Sequence, residues 1–279
     1  MSASASIRGL PPSPPPGEAG PASHALRPSR RERFALSFQL ALSRASAPLW
    51  VPLTVALMRF GFGWRIVDAA SARRRYREIV AARGSPVLVC ANHLTLVDSA
   101  VIAWALGSPW WYLRHFSALP WNVPERRNFA SSAASRVLVY LMKCVPIVRG
   151  SDRREVAAVL ERLRYLLGRG EAVLMFPEGG RSRSGRVEVE SAAYGVGRVA
   201  SLLPDCRVVC VYLRGEGQET YGDLPARGER FHVHVDAIEA RSECGGLRGA
   251  VEVSRQIVAR LAELEESHFE RRAAREPSR

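Results

Sequence analysis

The sequence predicts an α/β fold, in which a single domain has a largely parallel central sheet flanked by helices. From about residue 86 onward, short runs of apolar and β-branched residues alternate with longer stretches of helical periodicity. Such alternation is typical of parallel strands that are joined by crossover helices. The chain has 279 residues, 47% of them hydrophobic, so it can bury one sizeable core.

The predicted elements follow one another in that alternating order. Strands are expected at apolar runs bounded by Gly, Pro or charged residues, namely at 86–91, 109–114, 144–148, 172–176, 207–213 and 230–235. Helices are expected between and after them, at 96–106, 131–142, 153–169, 191–203 and 247–271. Together these elements form one predicted domain, which extends from residue 65 to residue 271.

The two ends of the chain differ in composition from the predicted domain. Residues 1–33 are rich in Ser, Pro, Ala and Arg and contain no apolar run of signal-peptide length. We therefore expect a disordered tail and no signal peptide. Residues 272–279 are expected to form a second, flexible tail.

Residues 34–64 are mostly apolar, but Arg44, Pro48 and Pro52 interrupt them. The uncharged stretch 45–58 is shorter than the ~20 residues that span a bilayer. An amphipathic helical segment that contacts the membrane surface fits better, and a helix packed on the core of the domain is the alternative. The first interpretation predicts a peripheral or monotopic protein on the cytoplasmic face of the cell membrane. It places four aromatic side chains at headgroup depth, namely Trp50, Phe60, Phe62 and Trp64.

The charge balance indicates an anionic partner. The chain has 40 Lys and Arg residues against 27 Asp and Glu residues, and every basic residue except Lys143 is arginine. Nucleic acid, anionic lipid and phosphorylated substrates all fit the net charge of +13. The cluster Arg73, Arg74, Arg75 and Arg77 either contacts anionic lipid or forms a solvated helix face.

The spacing of cysteine and histidine predicts no disulfide framework and no metal site. The five cysteines are odd in number and form no CxxC pair. This usage is consistent with a reducing cytoplasm and with structural thiols in the core. His232 and His234 alternate along a predicted strand, and no third ligand lies near them in the sequence.

The segment NHLTLVD, from Asn92 to Asp98, contains the first candidate catalytic residues. Five helical steps of about 100° would place His93 and Asp98 on different faces of a helix, so His93 is expected in the turn before it. Thr95 is the predicted N-cap, with Asp98 in the first turn. A carboxylate bonded to one imidazole nitrogen leaves the other nitrogen free to activate an alcohol. In the alternative, His93 is an ordinary loop residue and Asp98 only caps the helix.

The segment AVLMFPEGGRSRSG, at 172–185, predicts an anion-binding turn. Gly179 and Gly180 allow backbone N–H groups to face a ligand, and Arg181 carries forked donors suited to phosphate. A further apolar run, CVPIV, ends in Arg149. If these strands are parallel neighbours, their carboxyl ends form one crevice with the loop of His93.

Four segments, NHLTLVD, MKCVPIVRG, FPEGGRSRSG and VVCVYLRG, follow one another between residues 86 and 215. In this order they resemble the sequence blocks of glycerolipid acyltransferases of the lysophosphatidate type, which include NHX4D and FPEGTRS. Two positions depart from that pattern. Gly180 stands where the family usually has threonine, which bears on contacts with the acceptor headgroup. Cys210 stands where the family usually has proline, which bears on local backbone shape.

The resemblance implies direct transfer of an acyl group from coenzyme A or acyl carrier protein to a hydroxyl of a lysophospholipid, with 1-acylglycerol-3-phosphate as the expected acceptor. No other cofactor and no covalent enzyme intermediate are expected. His93 would deprotonate the hydroxyl, Asp98 would orient His93, and Arg149 with Arg181 would hold the acceptor phosphate. The other residues implied are Glu178, Gly179, Gly180 and Ser182 for substrate binding, and Asn92 and Thr95 for support of the loop.

Other functions fit the residues less well. GRSRSG resembles the GxSxG elbow of serine hydrolases, but Ser184 occupies the position of the second glycine. A basic protein that binds membranes or nucleic acid without catalysis is a second alternative. The basic residues are dispersed and are not interleaved with aromatic residues, so nucleic acid is not expected. A different lysolipid acceptor for an enzyme of the same family also stays open.

Overall fold

The computed structural model describes residues 27–81, 86–129, 132–148, 150–203 and 205–275. The strands within them are β1 (Arg65–Val67), β2 (Val87–Ala91), β3 (Val173–Met175), β4 (Arg207–Gly215) and β5 (Arg230–Ile238). They form one sheet in the order β1-β5-β4-β2-β3. Neighbouring strands are parallel except β4 and β5, which are antiparallel. The predicted α/β fold with a largely parallel sheet is confirmed.

Helices cover both faces of this sheet. They are α1 (Arg30–Ala56), α2 (Ala69–Ala81), α3 (Asp98–Leu106), α4 (Pro109–Arg114), α5 (Arg126–Phe129), α6 (Ala133–Leu141), α7 (Arg153–Leu167), α8 (Tyr194–Ser201) and α9 (Gly246–Arg275). Side chains of α7, α8 and α9 form the core on one face, and those of α2 and α3 form the core on the other. A smaller cluster joins α1 to α4.

Strand β2 contributes to both cores because all of its residues are apolar and buried. Val87, Val89 and Ala91 face α2 and α3, whereas Leu88 and Cys90 face α7, α8 and α9. A central parallel strand is covered on both faces, which explains its continuous apolar sequence. The same strand leads directly into the NHLTLVD segment at its carboxyl end.

The strand predicted at 109–114 is wrong, because these residues form α4. Ser108 caps the helix by accepting a hydrogen bond from the Trp111 N–H (3.3 Å), and Pro109 occupies the first turn. A serine followed by proline is a helix-start signal that outweighs the β propensity of the aromatic residues.

The strand predicted at 144–148 is also wrong, since this segment makes only isolated bridges. Its position is instead fixed by Lys143, which is completely buried. The Lys143 ammonium lies 2.7 Å from Glu171 Oε2 and donates to the carbonyl oxygens of Phe116 (2.9 Å) and Leu119 (2.6 Å). Burial lowers the pKa of Lys143 to about 8, although Glu171 opposes that shift.

Helix α1 begins earlier than the sequence analysis placed it. Ser29 and Glu32 form a capping box, in which each side chain bonds to the backbone N–H of the other residue (3.2 and 2.8 Å). Residues 30–33, assigned above to the disordered tail, are therefore helical. Most of that predicted tail, at 1–26, lies outside the described residues.

Helix α9 extends past the predicted end of the domain at residue 271. Residues 272–275, which were assigned to the C-terminal tail, are its last helical turn. The remainder of that tail, at 276–279, lies outside the described part of the chain.

The inner face of α1 is docked along the domain. Gln39 Nε2 donates to the carbonyl oxygens of Tyr140 and Cys144 (both 2.9 Å), and Ser43 Oγ donates to that of Leu141 (2.5 Å). These hydrogen bonds fix α1 on α6 and on the segment that follows it. One face of α1 is therefore packed on the domain, as the alternative interpretation expected.

The outer face of α1 is apolar and exposed, and it continues into a π-helical turn at Leu57–Gly61. Its large exposed side chains are Phe34, Phe38, Leu42, Leu49, Leu53, Leu57 and Phe60. By length and composition, the combined helix Arg30–Gly61 is sufficient to cross a membrane. The structure thus presents a longer continuous apolar helix than the uncharged stretch 45–58 suggested.

The aromatic residues near the end of this segment do not all face outward. Phe60 is 82% exposed, whereas Trp64 is 1% exposed and donates to the Ala226 carbonyl oxygen (2.8 Å). Phe62 stacks on Trp64 with ring centroids 4.6 Å apart, and Trp50 is half-buried. The expectation that Trp64 lies at headgroup depth is wrong, because this residue belongs to the core of the domain.

Candidate active site

His93 lies in the loop between β2 and α3, as the sequence predicts. Its Nδ1 is 3.0 Å from Asp98 Oδ2, and 12% of its side chain is exposed. An ionised carboxylate only accepts hydrogen bonds, so Nδ1 carries the proton in this assignment and Nε2 has a free lone pair. One imidazole nitrogen is therefore available as a base.

The Asp98 carboxylate is buried and organises the whole loop before α3. Oδ2 accepts hydrogen bonds from the N–H groups of Leu94 (2.6 Å) and Thr95 (2.7 Å), and Oδ1 accepts from the Thr95 hydroxyl (2.5 Å). The predicted cap is wrong, since α3 begins at Asp98 with Val97 in the N-cap position. The Asp98 carboxylate itself accepts hydrogen bonds from the backbone N–H groups at the start of this helix. Its contact with Nδ1 also fixes the orientation of the His93 ring.

Asn92 ties the start of this loop to β4. Its amide nitrogen donates to the Leu213 carbonyl oxygen (2.9 Å), and its amide oxygen accepts from the Leu213 N–H (2.8 Å). Asn92 is 4% exposed, so these bonds satisfy a buried amide. The side chain holds the end of β2 in place beside β4.

The turn after β3 meets the His93 loop. Phe176 stacks on the His93 ring with centroids 4.0 Å apart, and the Ser182 N–H donates to the His93 carbonyl oxygen (2.8 Å). Gly179 has a φ of 67°, and its N–H closes the turn by donating to the Phe176 carbonyl oxygen (3.0 Å). The Gly179 N–H is thus used inside the turn, and Gly180 follows half-buried.

Glu178 lies beside His93 with one unpaired oxygen. The backbone N–H groups of His93 and Glu188 act on its carboxylate to lower the pKa, whereas Oε1 is buried without a hydrogen-bond partner among the described residues. Burial raises the pKa of Glu178 to about 7, and repulsion from Glu188 and Glu265 acts in the same direction. A perturbed carboxyl group next to a candidate base is typical of functional sites.

Arg181 is engaged with a loop at 221–223. Its Nη1 donates to the Gly222 carbonyl oxygen (2.7 Å) and to Asp223 Oδ1 (2.8 Å), and its guanidinium lies 5.4 Å from the Tyr221 ring centroid. The Asp223 side chain is 78% exposed. Water competes for such a surface ion pair, which stabilises little, so Arg181 can exchange this partner for an anionic ligand.

Arg149, the other arginine expected at the acceptor phosphate, lies outside the described residues, although Val148 and Gly150 on either side are described. Among the described residues, the crevice expected at the strand ends contains His93, Asp98 and the turn from Glu178 to Ser182.

The arginines that follow the apolar segment do not form one continuous surface. Arg73 donates to a backbone carbonyl at the end of α3 (3.1 Å), and Arg75 forms an ion pair with a carboxylate of β5 (3.0 Å). Arg77 lies 5.4 Å from the ring centroid of Trp111 in α4. Arg74 lines a cavity on another side of the molecule. Arg73, Arg75 and Arg77 are therefore occupied by contacts within the domain.

An apolar cavity of about 230 Å³ lies beside the His93 loop. Leu96 and Val97, which follow His93 closely in the chain, line one side, and Ala100 of α3 extends that wall. Helices α1, α4 and α6, the segment at 119–124 and Leu174 of β3 supply further walls. Leu138 of α6 lines the cavity and is 53% exposed, so it lies at the rim.

Part of the chain matches a known family. A family model described as Acyltransferase matches residues 72–214, which is slightly more than half of the chain. The chain belongs to the acyltransferase family. The matched range of this acyltransferase contains His93, Asp98 and the turn after β3, and it ends before β5 and α9. Among the curated proteins, none matches the chain.

The sequence analysis missed several residues of this site. Phe176 directly precedes the PEGG turn, so its position beside the crevice carried a signal that was not used. The loop at 221–223 and the Glu188 N–H carried none, because each reaches the site through contacts between distant parts of the chain. Glu178 was named as a substrate-binding residue, but its buried, unpaired oxygen is visible only in three dimensions.

Proposed function

We propose that this acyltransferase transfers a fatty acyl group from an acyl thioester, carried by coenzyme A or acyl carrier protein, to the free hydroxyl of 1-acylglycerol-3-phosphate, which gives phosphatidate. The observation that carries the proposal is the pair of His93 and Asp98 at the carboxyl end of β2. A turn suited to anions and an apolar cavity lie beside this pair. The three features match the hydroxyl, the phosphate and the acyl chain of the reactants.

In the proposed reaction, His93 Nε2 removes the hydroxyl proton as the acceptor oxygen attacks the thioester carbonyl carbon. The tetrahedral intermediate then collapses with cleavage of the C–S bond, and the imidazolium returns its proton to the leaving thiolate. The buried Asp98 stabilises the imidazolium and holds its tautomer. Holding both substrates at one base supplies a large further part of the rate enhancement.

Direct transfer is preferred over an acyl-cysteine intermediate for a physical reason. Burial raises the pKa of Cys144, Cys206 and Cys210 to about 12 and that of Cys90 well above its ordinary value. Thiols of this kind are protonated at neutral pH and react slowly.

The acceptor phosphate is proposed to bind Arg181, with Arg149 as its second ligand. Arg181 would release the exposed Asp223 carboxylate and form two parallel hydrogen bonds to phosphate oxygens. Glu178, whose Oε1 has no hydrogen-bond partner in the described part of the chain, is suited to hold a guanidinium group or an acceptor hydroxyl.

The acyl chain is proposed to occupy the apolar cavity that begins at Leu96 and Val97. Each methylene group buried there contributes about 0.8 kcal/mol to binding. Helix α1 borders the same region, because Trp50 and Val55 of this helix and Met58 of the π-helical turn after it line the cavity.

We further propose that α1 lies in the interfacial plane of the cytoplasmic leaflet. Its inner face is hydrogen-bonded to the domain along Gln39 and Ser43, so this face is not available to surrounding lipid. Its outer face presents large apolar side chains to the membrane. Such a position brings the cavity close to the lipid substrates.

The test combines labelled palmitoyl-CoA, and separately palmitoyl-acyl carrier protein, with a panel of lysophospholipids in mixed micelles. Wild type is expected to label 1-acylglycerol-3-phosphate, and His93→Ala is expected to abolish this labelling. His115→Ala removes an exposed histidine whose ring stacks on Trp111, and it serves as the matched control. Labelling of a different lysophospholipid would identify that lipid as the acceptor instead of 1-acylglycerol-3-phosphate. No transfer with any combination of donor and acceptor would contradict the proposed acyl transfer.

A further inference from the structure

A second cavity lies toward the opposite edge of the sheet from His93. It has a volume of about 800 Å³ and lies between α2, β5 and the C-terminal half of α9. In the sheet, β4 and β5 stand between this edge and β2, the strand that leads to His93. Neither the cavity nor the side chains that line it take part in the acyl transfer proposed above.

Arginines converge on this cavity from two helices. Arg74 and Arg75 come from α2, and Arg260, Arg271 and Arg272 come from α9. The carboxylates along the walls are Asp68, Glu78, Glu216 and Asp236. Five guanidinium groups therefore oppose four carboxylates, which leaves a net charge of +1 before the histidines are counted.

Most of those carboxylates already have a cationic or ring partner. Asp236 contacts Arg75 (3.0 Å) and Arg260 (2.6 Å), and Glu216 contacts the imidazole of His232 (3.0 Å). Glu78 lies 3.8 Å from Arg75. In the described part of the chain, Arg74 and Arg271 form no ion pair, so two guanidinium groups on opposite walls are available to a ligand.

Three histidines form the floor of the cavity. His234 Nε2 lies 3.2 Å from His268 Nδ1, and the rings of His232 and His268 are 5.3 Å apart. Burial lowers the pKa of His234 and of His268 to about 4. The positive charge of Arg271 lowers the pKa of His234 further, and that of Arg272 lowers the pKa of His268 further. These imidazoles are uncharged at neutral pH, and the space around them favours an anion.

We propose that this cavity binds a phosphate group, with Arg74 and Arg271 as its principal ligands and His268 as a hydrogen-bond donor. Arginine forks match the geometry of phosphate oxygens, and about 800 Å³ is within the range of small-molecule sites. A metal ion fits less well. Within the described ranges, no group of His, Cys, Asp and Glu is arranged to hold one, and His234 and His268 bond directly to each other.

Calorimetry on the full chain tests the site with inorganic phosphate, pyrophosphate and ADP as probes. The variant Arg74→Gln/Arg271→Gln is expected to bind at least one of these probes about tenfold or more weakly than wild type. Arg255→Gln removes an exposed arginine of α9 away from the cavity and should bind like wild type. Equal losses in both variants would overturn the proposal, because they would indicate only nonspecific charge.

The same variants separate a soluble phosphate from a lipid headgroup. Flotation with phosphatidylcholine vesicles, with and without phosphatidylglycerol, measures binding to lipid headgroups. A loss confined to the anionic vesicles in Arg74→Gln/Arg271→Gln assigns the phosphate to lipid, and a loss confined to the soluble probes assigns it to a free ligand. If wild type binds no soluble probe and the variant binds both vesicle types like wild type, the proposal is refuted.

Histidine NMR locates the bound group. Phosphate is expected to shift the imidazole signals of His234 and His268 in wild type but not in Arg271→Gln, and to leave His115 unchanged. An equal shift of the His115 signal would contradict a defined site. Because none of these measurements uses acyl transfer, the result is independent of the proposed enzymatic activity.

Discussion

Histidines on two sides of the sheet are placed in surroundings that give them opposite chemistry. His93 is hydrogen-bonded to a buried carboxylate, which in the proposed reaction would stabilise the imidazolium. His234 is hydrogen-bonded to His268, and burial lowers the pKa of both rings to about 4. The buried carboxylate beside His93 and the burial of His234 and His268, rather than the residue type, distinguish the proposed base from the proposed neutral donor.

The largest effect is expected from the partner of His93. Asp98→Asn replaces an acceptor by a group that is also a donor, so the His93 tautomer is no longer fixed and the imidazolium loses its counter-charge. We expect kcat to fall by about 1000-fold. Asp68→Asn is the matched control, because Asp68 has a positive φ that asparagine tolerates. An Asp98→Asn enzyme that retained a tenth of the activity would break the comparison.

The second effect concerns Glu178, the carboxyl group next to His93. Its pKa in the folded protein is raised to about 7, so the folded state holds this proton more tightly than the unfolded state. The resulting stabilisation is present below the unfolded pKa and is lost as pH rises through about 7. Between about pH 5 and about pH 8, the free energy of unfolding of wild type should fall by about 2 kcal/mol. That of Glu178→Gln should not show this fall.

Urea unfolding of both proteins across this pH range measures that difference. Glu190→Gln, an exposed change nearby, serves as the control and should follow wild type. If the unfolding free energies of wild type and Glu178→Gln change with pH in parallel, the result contradicts a raised pKa of the Glu178 carboxyl group in the folded protein.

A smaller effect is expected in the apolar cavity. Ala100→Leu adds a bulky side chain to the wall near Val97 and shortens the space for an acyl chain. We expect the rate with a palmitoyl donor to fall about tenfold relative to an octanoyl donor. Competition between the two thioesters in one reaction measures this ratio. An unchanged ratio would place the acyl chain elsewhere.

The smallest effect is expected on the β5 side. His234→Gln changes the neutral histidine pair but touches nothing in the proposed acyl-transfer site. Steady-state acyl transfer should stay within about twofold of wild type, since distant sites are nearly independent. A large loss of kcat with an unchanged unfolding midpoint would show that the two regions are coupled.

The parts of the fold that the sequence predicted well are those with strong local signals. The all-apolar run VLVCA predicted β2, and the spacing of His93 and Asp98 placed the base before its helix. Strand β1 was not predicted, because only Ile66 and Val67 form its apolar run, between the charged residues Arg65 and Asp68. The strand expected at 109–114 was wrong because its Ser-Pro start signal was given less weight than its aromatic content.

The second histidine group shows the limit of sequence reasoning. The sequence shows no third ligand near His232 and His234, and it gives no sign that His268 lies beside them. The structure brings His268 to within 3.2 Å of His234 because α9 packs over β5. The loop at 221–223 reaches Arg181 in the same way. Contacts between elements far apart in the chain leave no local signal.

The most direct test of the central claim follows thiol release from palmitoyl-CoA in a single turnover, with and without 1-acylglycerol-3-phosphate. The account predicts that release by wild type requires the acceptor, and that His93→Ala loses this release while His115→Ala keeps it. A burst of thiol equal to the enzyme concentration without acceptor would indicate a covalent intermediate. Such a burst, or full activity of His93→Ala, would contradict His93 as the base that activates the acceptor.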